Sequence, residues 1–564
     1  MRDEALDDPN CAVAAHLAHL ERAPSARGSS SQRKAQGSHY TPRSLVEYVL
    51  RESTHELAHV PRSVIDPACG SGNFLVAAAR ELIARGATSM ESVLTHSIYG
   101  VDIDERAVEL CRDALLALLL ESTPIAARDR VAIALERHVV CADAIELDFG
   151  ARIGIAKFDW VLGNPPFLNQ LEISTAHSRT RAKRIAQLTG GAVSRYTDVA
   201  AAFLLLGLDL LAPGGRLGFV MPQSFLASAD ARKARVAAVK NARLRSVWAC
   251  TERMFDGATV QVCAITLSKQ NDALAASRDD EHDAASVCVA FGVSFDALPV
   301  VHGFDFANTP TWSPLIAAGF GVPACVLQLK STRVVGEIAR ATADFRDQFY
   351  GLRGAIVERA QELSSQFPRL VTTKHIDLAE CTWGAVNVRV HGIKHVHPCV
   401  DRAALERDSA MNAWVHTRLI PKILVATQTR VMEAWVDEEG SVLPLVPLLT
   451  VVARDDGECD LWMIAAALAS PVIAARAVAL YSGSALSSRA IKLSARQLLE
   501  MPLPIEQSAW QESAQLFRAA SRAPDLAQRN TILERYAHAS IRAYGLGKVD
   551  LEDVLRFWRE RRVR

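Results

Sequence analysis

The sequence carries no net charge and gives no global indication of a charged partner. Its 564 residues contain 63 Lys and Arg against 63 Asp and Glu. Global charge therefore argues neither for nor against a nucleic-acid partner. Only local basic segments can indicate one.

Paired cysteines are also missing. Eleven cysteines are scattered along the chain, and none forms a C-x-x-C pair. Zinc sites and disulfide frameworks usually show such regular spacing, so neither is predicted and no metal ligand is assigned. Reduced thiols are typical of the cytoplasm, where disulfides are rare, and a cytoplasmic protein is therefore expected.

Apolar runs of the kind that cross a membrane are absent as well. The run 199–212 is short and contains Asp209, and the run 461–481 is interrupted by Pro471 and Arg476. A membrane-spanning helix needs about 20 predominantly apolar residues, so both runs are predicted to be buried helices. The N-terminal sequence MRDEALDDPN is acidic and polar, unlike a signal peptide.

The chain does contain a regular alternation of strand and helix signals after residue 63. Five strand-like runs occur in RSVIDPACGSG, HSIYGVDID, RHVVCADAIE, FDWVLGNPPF and APGGRLGFVMP. Strands that alternate with helices predict an α/β fold with a doubly wound, mainly parallel, Rossmann-like sheet. A chain of this length is expected to form more than one domain.

Composition changes along the chain and predicts five segments. Residues 1–36 are rich in Ser, Arg and Ala and are expected to be flexible, and residues 37–270 carry the α/β pattern. A connecting region, 271–330, begins with a polar stretch. Short helices and strands without the α/β rhythm predict an α+β domain over 331–505, and a charged helical segment follows over 506–564.

Polar residues follow four of the predicted strands at the point where each ends. They are the Gly70/Gly72 turn in DPACGSG, Asp102, Asp143 and Asn164. Ligands of doubly wound sheets bind beyond the carboxyl ends of the strands, so these residues are expected to line one crevice. A turn without a ligand, or capping acids, would explain each of them alone. A dinucleotide site is the alternative for the turn and its acids.

The fourth strand ends in the tetrapeptide Asn164-Pro165-Pro166-Phe167. Two prolines fix φ and remove two backbone donors, so neither a helix nor a central strand can continue. The chain thus leaves a buried strand and presents an amide, a rigid kink and an aromatic ring. A dinucleotide site does not explain this tetrapeptide. A structural kink capped by the asparagine is the alternative to a catalytic role.

In this order, the segments resemble the gamma group of N6-adenine DNA methyltransferases, which use S-adenosyl-L-methionine. GSHYTP (37–42) resembles the family motif upstream of the glycine turn, DPACGSG the methionine-binding loop, and NPPF the catalytic tetrapeptide. The cofactor-binding residues that the resemblance implies are Tyr40, Thr41, Asp66, Ala68, Gly70, Gly72, Asp102, Ile103 and Asp143. His39 departs from the family pattern, in which many members have an aromatic residue there.

The same resemblance implies how the tetrapeptide acts. The Asn164 side-chain oxygen and the Pro165 carbonyl would accept the two protons of the adenine amine, and Pro166 would keep these acceptors in place. Phe167 would offer a face to the base, which must be flipped out of a duplex to reach the site. ERMFDGATVQ indicates Phe255 as a second stacking ring, with an ordinary core phenylalanine as the alternative.

Basic segments without acids indicate where DNA phosphates could be bound. The run 174–197 directly follows the tetrapeptide, and the run 231–245 is also basic. A solvated helix face is the alternative for the second run. The predicted DNA contacts in the first run are Arg179, Arg181, Lys183, Arg184 and Arg195.

The C-terminal half resembles, less closely, the target-recognition domains of type IIG and type I restriction systems. The similar stretches are 419–444 and 482–504, and Lys422 and Arg430 are the predicted DNA contacts in the first of them. Neither stretch contains a clear chemical motif. No nuclease motif is evident in the sequence either.

The resemblance as a whole implies site-specific methylation of adenine N6 in duplex DNA, with a separate restriction or defence protein as a candidate partner. RNA or protein-glutamine methylation is one alternative, and the long C-terminal half argues against it. A non-catalytic DNA-binding subunit is the other. Intact Asp66, Asn164 and Phe167 argue against that second alternative.

Overall fold

A computed structural model of the protein forms two compact units, Met1–Gly319 and Phe320–Arg564. Each unit contains its own sheets and its own hydrophobic core. The residues described by the structure are 41–57, 59–120, 122–167, 176–194, 197–240, 242–252, 254–255, 260–270, 286–344, 346–360, 365–406, 408–454, 459–483 and 490–563.

The first unit alternates strands and helices. Its strands are β1 (Val64–Asp66), β2 (Ile98–Asp102), β3 (Val139–Cys141), β4 (Phe158–Gly163), β5 (Leu211–Pro222), β6 (Ala242–Ala249), β7 (Val262–Lys269), β8 (Val287–Phe291) and β9 (Asp296–Val301). Its helices are α1 (Arg43–Thr54), α2 (Asn73–Ala84), α3 (Met90–His96), α4 (Glu105–Leu116), α5 (Ile125–His138), α6 (Phe149–Ile153), α7 (Ala176–Leu188), α8 (Val199–Leu210), α9 (Ser224–Ala227) and α10 (Arg232–Lys240).

These strands form one sheet in the order β3-β2-β1-β4-β5-β7-β6-β8-β9. The pairs from β3 to β5 are parallel, whereas β7 is antiparallel to both of its neighbours. The predicted doubly wound, mainly parallel Rossmann-like sheet is confirmed. The chain first runs outward to β2 and β3 and then returns to β4, so the strand order reverses between β1 and β4. Such a reversal opens a ligand crevice at the carboxyl ends of the two strands.

Apolar side chains fill the space between the sheet and its helices. The run predicted as a buried helix from residue 199 is α8, which is apolar on nearly every side because it packs against β5. Gly207 permits close approach, since a Cβ there would lie 2.7 Å from Leu217 Cδ1. Trp160 in β4 is fully buried, and its Nε1 donates to Ser53 Oγ at 2.9 Å, which ties α1 to the sheet.

The sheet continues past residue 270, where its sequence pattern was predicted to end. β8 pairs in parallel with β6, and β9 pairs antiparallel with β8. Residues 287–301 of the expected connecting region, 271–330, therefore belong to the sheet. The strand VCVAF is short and follows a long polar stretch, so its local signal is weak and becomes visible only through its pairing with β6.

The second unit combines small sheets with helices. Its strands are β10 (Ala339–Ala343), β11 (Ile356–Glu358), β12 (Arg369–Val371), β13 (Ile376–Asp377), β14 (Glu380–Cys381), β15 (Val388–Val390), β16 (Ile393–His395), β17 (Pro398–Val400), β18 (Lys422–Ala426), β19 (Glu433–Asp437), β20 (Val442–Pro444) and β21 (Leu449–Ala453). Its helices are α11 (Arg346–Gly351), α12 (Ser409–Arg418), α13 (Leu461–Leu468), α14 (Pro471–Tyr481), α15 (Ala495–Leu499), α16 (Gln507–Ser521), α17 (Leu526–Ala543) and α18 (Lys548–Arg562).

Two four-stranded sheets, β10-β21-β18-β19 and β11-β17-β12-β20, and the two hairpins β13-β14 and β15-β16 give this unit α+β character. The helical C-terminal segment expected from the sequence is observed as α16 to α18. Trp510 Nε1 donates to the carbonyl of Met463 at 2.8 Å, and the Tyr536 hydroxyl donates to the carbonyl of Ala466 at 2.7 Å. These two bonds attach the C-terminal helices to α13.

The second unit contains two consecutive apolar helices, α13 and α14, whose ability to span a bilayer depends on their length and composition. Within the described ranges, no single helix is long and apolar enough to do so. α13 and α14 meet the length and composition requirement only as a pair, with a bend of 52° between them.

Candidate functional site

The glycine turn and the tetrapeptide 164–167 follow neighbouring strands at the reversal of strand order. β1 pairs in parallel with β4, so Asp66 and Gly163, the last residues of these strands, lie at the same end of the sheet. Gly70 and Gly72 of the turn have φ angles of +51° and +94°. L-residues with side chains rarely adopt such angles, so the turn depends on glycine.

Asp66 is a buried carboxyl group at this end of the sheet. It is 1% exposed, and its Oδ1 accepts a hydrogen bond from the backbone N of Ala68 at 2.9 Å. Burial raises the pKa of Asp66 from 3.8 to about 8. A Cβ on Gly163 would lie 2.5 Å from Asp66 Oδ1, so only a glycine allows the chain to pass this close. A desolvated carboxyl group of this kind favours a cationic ligand.

Asp102 connects the end of β2 to the glycine turn. Its Oδ2 accepts from the backbone N of Gly70 at 2.8 Å, and its Oδ1 accepts from the backbone N of Asp104 at 2.9 Å. Burial raises the pKa of Asp102. The neighbouring Ile103 is 68% exposed, so an apolar surface stands beside the carboxylate where a ring of a ligand can pack.

Asp143, after β3, forms an ion pair with Arg181, a residue that was predicted from the sequence to contact DNA. Its Oδ1 accepts from the backbone N of Ile145 at 3.0 Å, and its Oδ2 accepts from Arg181 Nε at 2.8 Å. Both side chains of this ion pair are about one-fifth exposed. Arg181 lies on α7, in the run that follows the tetrapeptide. The structure thus places this arginine against a predicted cofactor acid, which differs from the predicted phosphate contact.

Asn164 presents an unused acceptor. Its Nδ2 donates to Thr41 Oγ1 at 3.0 Å, while its Oδ1 is buried and has no hydrogen-bond partner among the described residues. Thr41 is 4% exposed, so it holds the amide from the buried side. Buried acceptors without partners are rare because they lose hydration without compensation. Asn164 Oδ1 is therefore available to a donor on a ligand.

Phe167 and Phe255 belong to the same apolar cluster of the first unit. Phe167 is partly buried and packs against the buried members of the cluster. Phe255 is itself one of the buried members and is only 5% exposed. Its ring does not present the free face that stacking on a base requires, so this conformation favours the core-phenylalanine alternative.

The structure describes the side chains of only some of the remaining basic residues after the tetrapeptide. Lys183 and Arg184 are exposed on α7, and neither forms an ion pair within the described part of the chain. They stay predicted phosphate contacts. Arg179 lies on the same helix, but its side chain is outside the described structure. Tyr40 and Arg195 lie outside the described residues altogether.

Lys422 and Arg430 in the second unit have structural roles. Lys422 is fully buried, and its Nζ pairs with Asp437 Oδ2 at 2.5 Å across the β18–β19 ladder. The prediction of a DNA contact at Lys422 is therefore wrong, because a phosphate cannot reach a buried ammonium group that is already neutralised. Arg430 Nη1 donates to the carbonyl of Val563 at 2.6 Å, which attaches the C-terminal end of the chain.

Gln223 is a site candidate that sequence reasoning missed. It directly follows β5, the strand next to β4, and is fully buried. Its backbone N donates to the carbonyl of Gln261 at 2.8 Å, but neither Oε1 nor Nε2 has a hydrogen-bond partner among the described residues. A polar residue after a fifth parallel strand, in VMPQSF, was the available signal.

Known proteins are similar to this chain over the region that contains the site. Residues 27–282 match the family described as N-6 DNA Methylase. The type II methyltransferase M.VspI of Vibrio sp. (strain 343) is 26% identical over 264 residues, which are 46% of this chain and 53% of that protein. The type I restriction enzyme MjaIX methylase subunit of Methanocaldococcus jannaschii is 27% identical over 244 residues, 42% of this chain and 38% of that one. The chain thus spans about half or less of these relatives.

A solved structure is similar over nearly the whole chain. The type IIL restriction-modification enzyme MmeI, determined in complex with DNA, aligns with 92% of this chain and 74% of its own, with a TM-score of 0.56. The sequence identity is 12%. At this identity, the similarity establishes a shared fold and carries no assignment of individual residues.

Proposed function

Since residues 27–282 match the family described as N-6 DNA Methylase, we propose that the chain transfers a methyl group from S-adenosyl-L-methionine to adenine N6 at a specific site in duplex DNA. The observation that carries the proposal is the buried Oδ1 of Asn164 after β4, which has no hydrogen-bond partner in the described part of the chain. A hydrogen-bond acceptor in this position suits an exocyclic amine, which has protons to donate.

The residues around the turn fit the cofactor. Asp66 has one backbone donor and a raised pKa caused by burial, so it is suited to the ammonium of the methionine moiety. Asp102 suits the ribose hydroxyls, and exposed Ile103 suits the adenine ring. A Cβ on Gly70 would meet no atom of a described residue within 4 Å, so the described structure leaves space beside the turn. S-Adenosyl-L-methionine would supply a methyl group on a sulfonium centre.

The chain's own groups prepare the amine. An adenine amine is a weak nucleophile because its lone pair is conjugated with the ring. If Asn164 Oδ1 and the Pro165 carbonyl accept its two protons, the nitrogen can pyramidalise and direct its lone pair at the methyl carbon. Transfer would form the nitrogen–carbon bond as the carbon–sulfur bond of the bound cofactor breaks, and the methylated nitrogen would then lose a proton to water. Pro166 limits backbone motion and so keeps both acceptors in place.

Access to the amine requires that the target base leave the duplex. Partly buried Phe167, directly after the acceptors, is suited to stack on the extruded base. Exposed Lys183 and Arg184 on α7 are suited to contact backbone phosphates near that base. The names of the curated relatives, a type II methyltransferase and a type I methylase subunit, support a role in restriction-modification, with a restriction or defence protein as a partner.

The test separates cofactor binding from chemistry. Purified protein with labelled S-adenosyl-L-methionine should transfer label to adenine N6 of duplex DNA. Asn164→Ala should lower the rate by roughly 100-fold or more, as removal of one transition-state hydrogen-bonding group does elsewhere. Its affinity for the cofactor, measured by calorimetry, should hold. Asp66→Ala should mainly lower the affinity for the cofactor.

Asn308→Ala provides a matched control, because Asn308 is an exposed asparagine of the same unit whose amide bonds only to a neighbouring turn. It should methylate at the unmodified rate. Label that appears only in RNA or protein would overturn the proposal for DNA. Equal losses of cofactor affinity in the Asn164 and Asp66 variants would return Asn164 to a structural role.

A further inference from the structure

The β15-β16 hairpin of the second unit has a geometry that presents side chains outward. β15 (Val388–Val390) and β16 (Ile393–His395) are joined by the two residues His391 and Gly392. Their φ angles are +49° and +84°, which is the type I′ turn that matches the twist of paired strands. The hairpin is therefore a regular two-stranded ribbon with a tight end.

Two positive charges face each other across this ribbon. Arg389 is the direct partner of Lys394 in the strand register, and both side chains are exposed. Opposed side chains in such a pair have Cβ atoms about 4.5–5.5 Å apart, and like charges there destabilise the hairpin. Neither forms an ion pair within the described residues, and residues 381–400 contain no Asp or Glu. Glu358 contacts the end of the hairpin at His395 and His397. No described acid forms an ion pair with Arg389 or Lys394, so the two charges are available to an anion.

The inward face fixes the ribbon to its unit. Val388 and Val390 belong to the core cluster of the second unit. The ring of His391 lies 4.2 Å from the ring of Phe349, and Lys374 Nζ donates to the carbonyl of Asn387 at 3.0 Å. Since side chains alternate between the two faces of a strand, this anchoring holds Arg389 and Lys394 outward. A recognition element needs such support.

An exposed aromatic group lies near the hairpin, whereas the exposed apolar residue Ile393 is paired with Val390 and lies on the face opposite the two charges. Tyr350 on α11 is 59% exposed. Tyr350 lies beside the hairpin, because the ring of Phe349 contacts both Tyr350 and His391. Arginine reads guanine edges in the major groove. The outward face of the ribbon therefore carries the side-chain chemistry that a guanine edge requires.

We propose that the β15-β16 hairpin enters the major groove of duplex DNA and that Arg389 reads a base edge there, with Lys394 beside it. The groove is about 12 Å wide and admits a two-stranded ribbon. The inference rests on the proposed function, and it adds the residues that determine which DNA sequence is recognised. Sequence reasoning placed this segment in a domain that resembles target-recognition domains, but it assigned no DNA contact to the hairpin residues.

The experiment measures sequence discrimination. The site methylated by the unmodified protein is mapped by single-molecule sequencing of treated DNA, and methylation rates are then compared for that site and for each single base-pair change. Arg389→Ala should lower discrimination at one or two adjacent base pairs by roughly 5- to 150-fold, the range of one base contact. Discrimination at the other positions should hold. Arg389→Ala/Lys394→Ala should also bind the mapped site less tightly.

The matched control removes the same charge elsewhere in the unit. Arg496 has a side chain that is 85% exposed, and Lys548 is also exposed. Arg496→Ala/Lys548→Ala should keep the discrimination profile. Thermal stability should not fall in any of these variants, since every substituted side chain is exposed, and cofactor affinity should be unchanged.

Each other outcome overturns the inference. If the hairpin variants keep both their sequence discrimination and their DNA affinity, the hairpin does not bind DNA, and another partner such as an acidic protein surface would have to explain its charges. A uniform loss of affinity for all sequences would reduce it to a phosphate contact. Failure of the proposed function is distinct, because the unmodified protein itself would then methylate no DNA.

Discussion

Asp66 offers a direct test, because its carboxyl group is held in a protonation state that a bound cation would reverse. Asp66→Asn keeps the size of the side chain and an acceptor for the backbone N of Ala68, which lies 2.9 Å from Oδ1. The substitution removes only the ionisation. We expect the variant to be more stable than the unmodified protein near neutral pH and to bind the cofactor less tightly.

The expected gain in stability follows from the pKa of Asp66, which burial raises from 3.8 to about 8. Between these pH values the unfolded chain has lost the proton and the folded protein keeps it, so the free energy of unfolding falls as the pH rises. At about 1.36 kcal/mol for each pKa unit, the loss reaches on the order of 6 kcal/mol by pH 8 and is constant above it. The asparagine variant lacks this slope.

Denaturant unfolding of both proteins at pH 5, 6.5 and 8 measures the difference directly. The curves of the two proteins should diverge with rising pH, and the variant should be the more stable one at pH 8. Parallel pH dependences would show that Asp66 is ionised throughout this range in the folded protein. The assignment of a neutral, desolvated carboxyl group would then be refuted.

Cofactor binding gives an independent measurement of the same group. An ammonium beside Asp66 favours the carboxylate, so each bound molecule should release about one proton between roughly pH 5 and 8. Affinity should rise by up to about tenfold for each pH unit in that window. Calorimetry in two buffers of different ionisation enthalpy counts the protons. 5′-Methylthioadenosine, which lacks the amino-acid portion, should bind without proton release, and so should every ligand of the asparagine variant.

Three further substitutions test the roles assigned to Lys422, Arg181 and Phe255. Lys422→Met should lower the free energy of unfolding by about 3–5 kcal/mol, because it leaves a buried carboxylate unpaired; Lys422→Met/Asp437→Asn should recover part of the loss in denaturant titrations, and no recovery would show that the pair is not coupled. Arg181→Ala should free Asp143 and raise the affinity for adenosine by roughly tenfold, as calorimetry can show, whereas weaker binding would make Arg181 part of the nucleoside pocket. Phe255→Ala should cost about 3–5 kcal/mol of stability as a buried ring; an unchanged melting temperature with slower methylation would restore the stacking role.

Features that depend on neighbours in the chain were predictable from the sequence. The glycine turn, Asp66 and Asn164 each follow directly from a strand, and their common location results from the parallel order of the sheet. A βαβ rhythm makes that order predictable. The doubly wound fold and the alignment of these residues at one end of the sheet follow from local patterns for this reason.

Features that depend on distant pairing were not predictable. In the sequence, Lys422 is one of many basic residues, and only the structure shows that β19 places Asp437 opposite it. Arg181 is predicted from the sequence to contact phosphate, and only the structure shows its ion pair with Asp143. Local composition contains no information on either partner. Phe255 is ambiguous in the same way, because an aromatic residue near a strand end has the same sequence signal whether its ring is free or buried.

Burial alone does not separate functional polar groups from structural ones in this chain. Lys422 and Asp437 are almost completely buried, yet their charges neutralise each other, so they need nothing further. Within the described ranges, Asn164 Oδ1 and the side chain of Gln223 are buried without hydrogen-bond partners, and burial raises the pKa of Asp66. Natural proteins keep such unfavourable groups where function requires them. Asp66, Asn164 and Gln223 lie at the carboxyl ends of β1, β4 and β5, three strands of one parallel set, and we infer that a ligand completes the structure there.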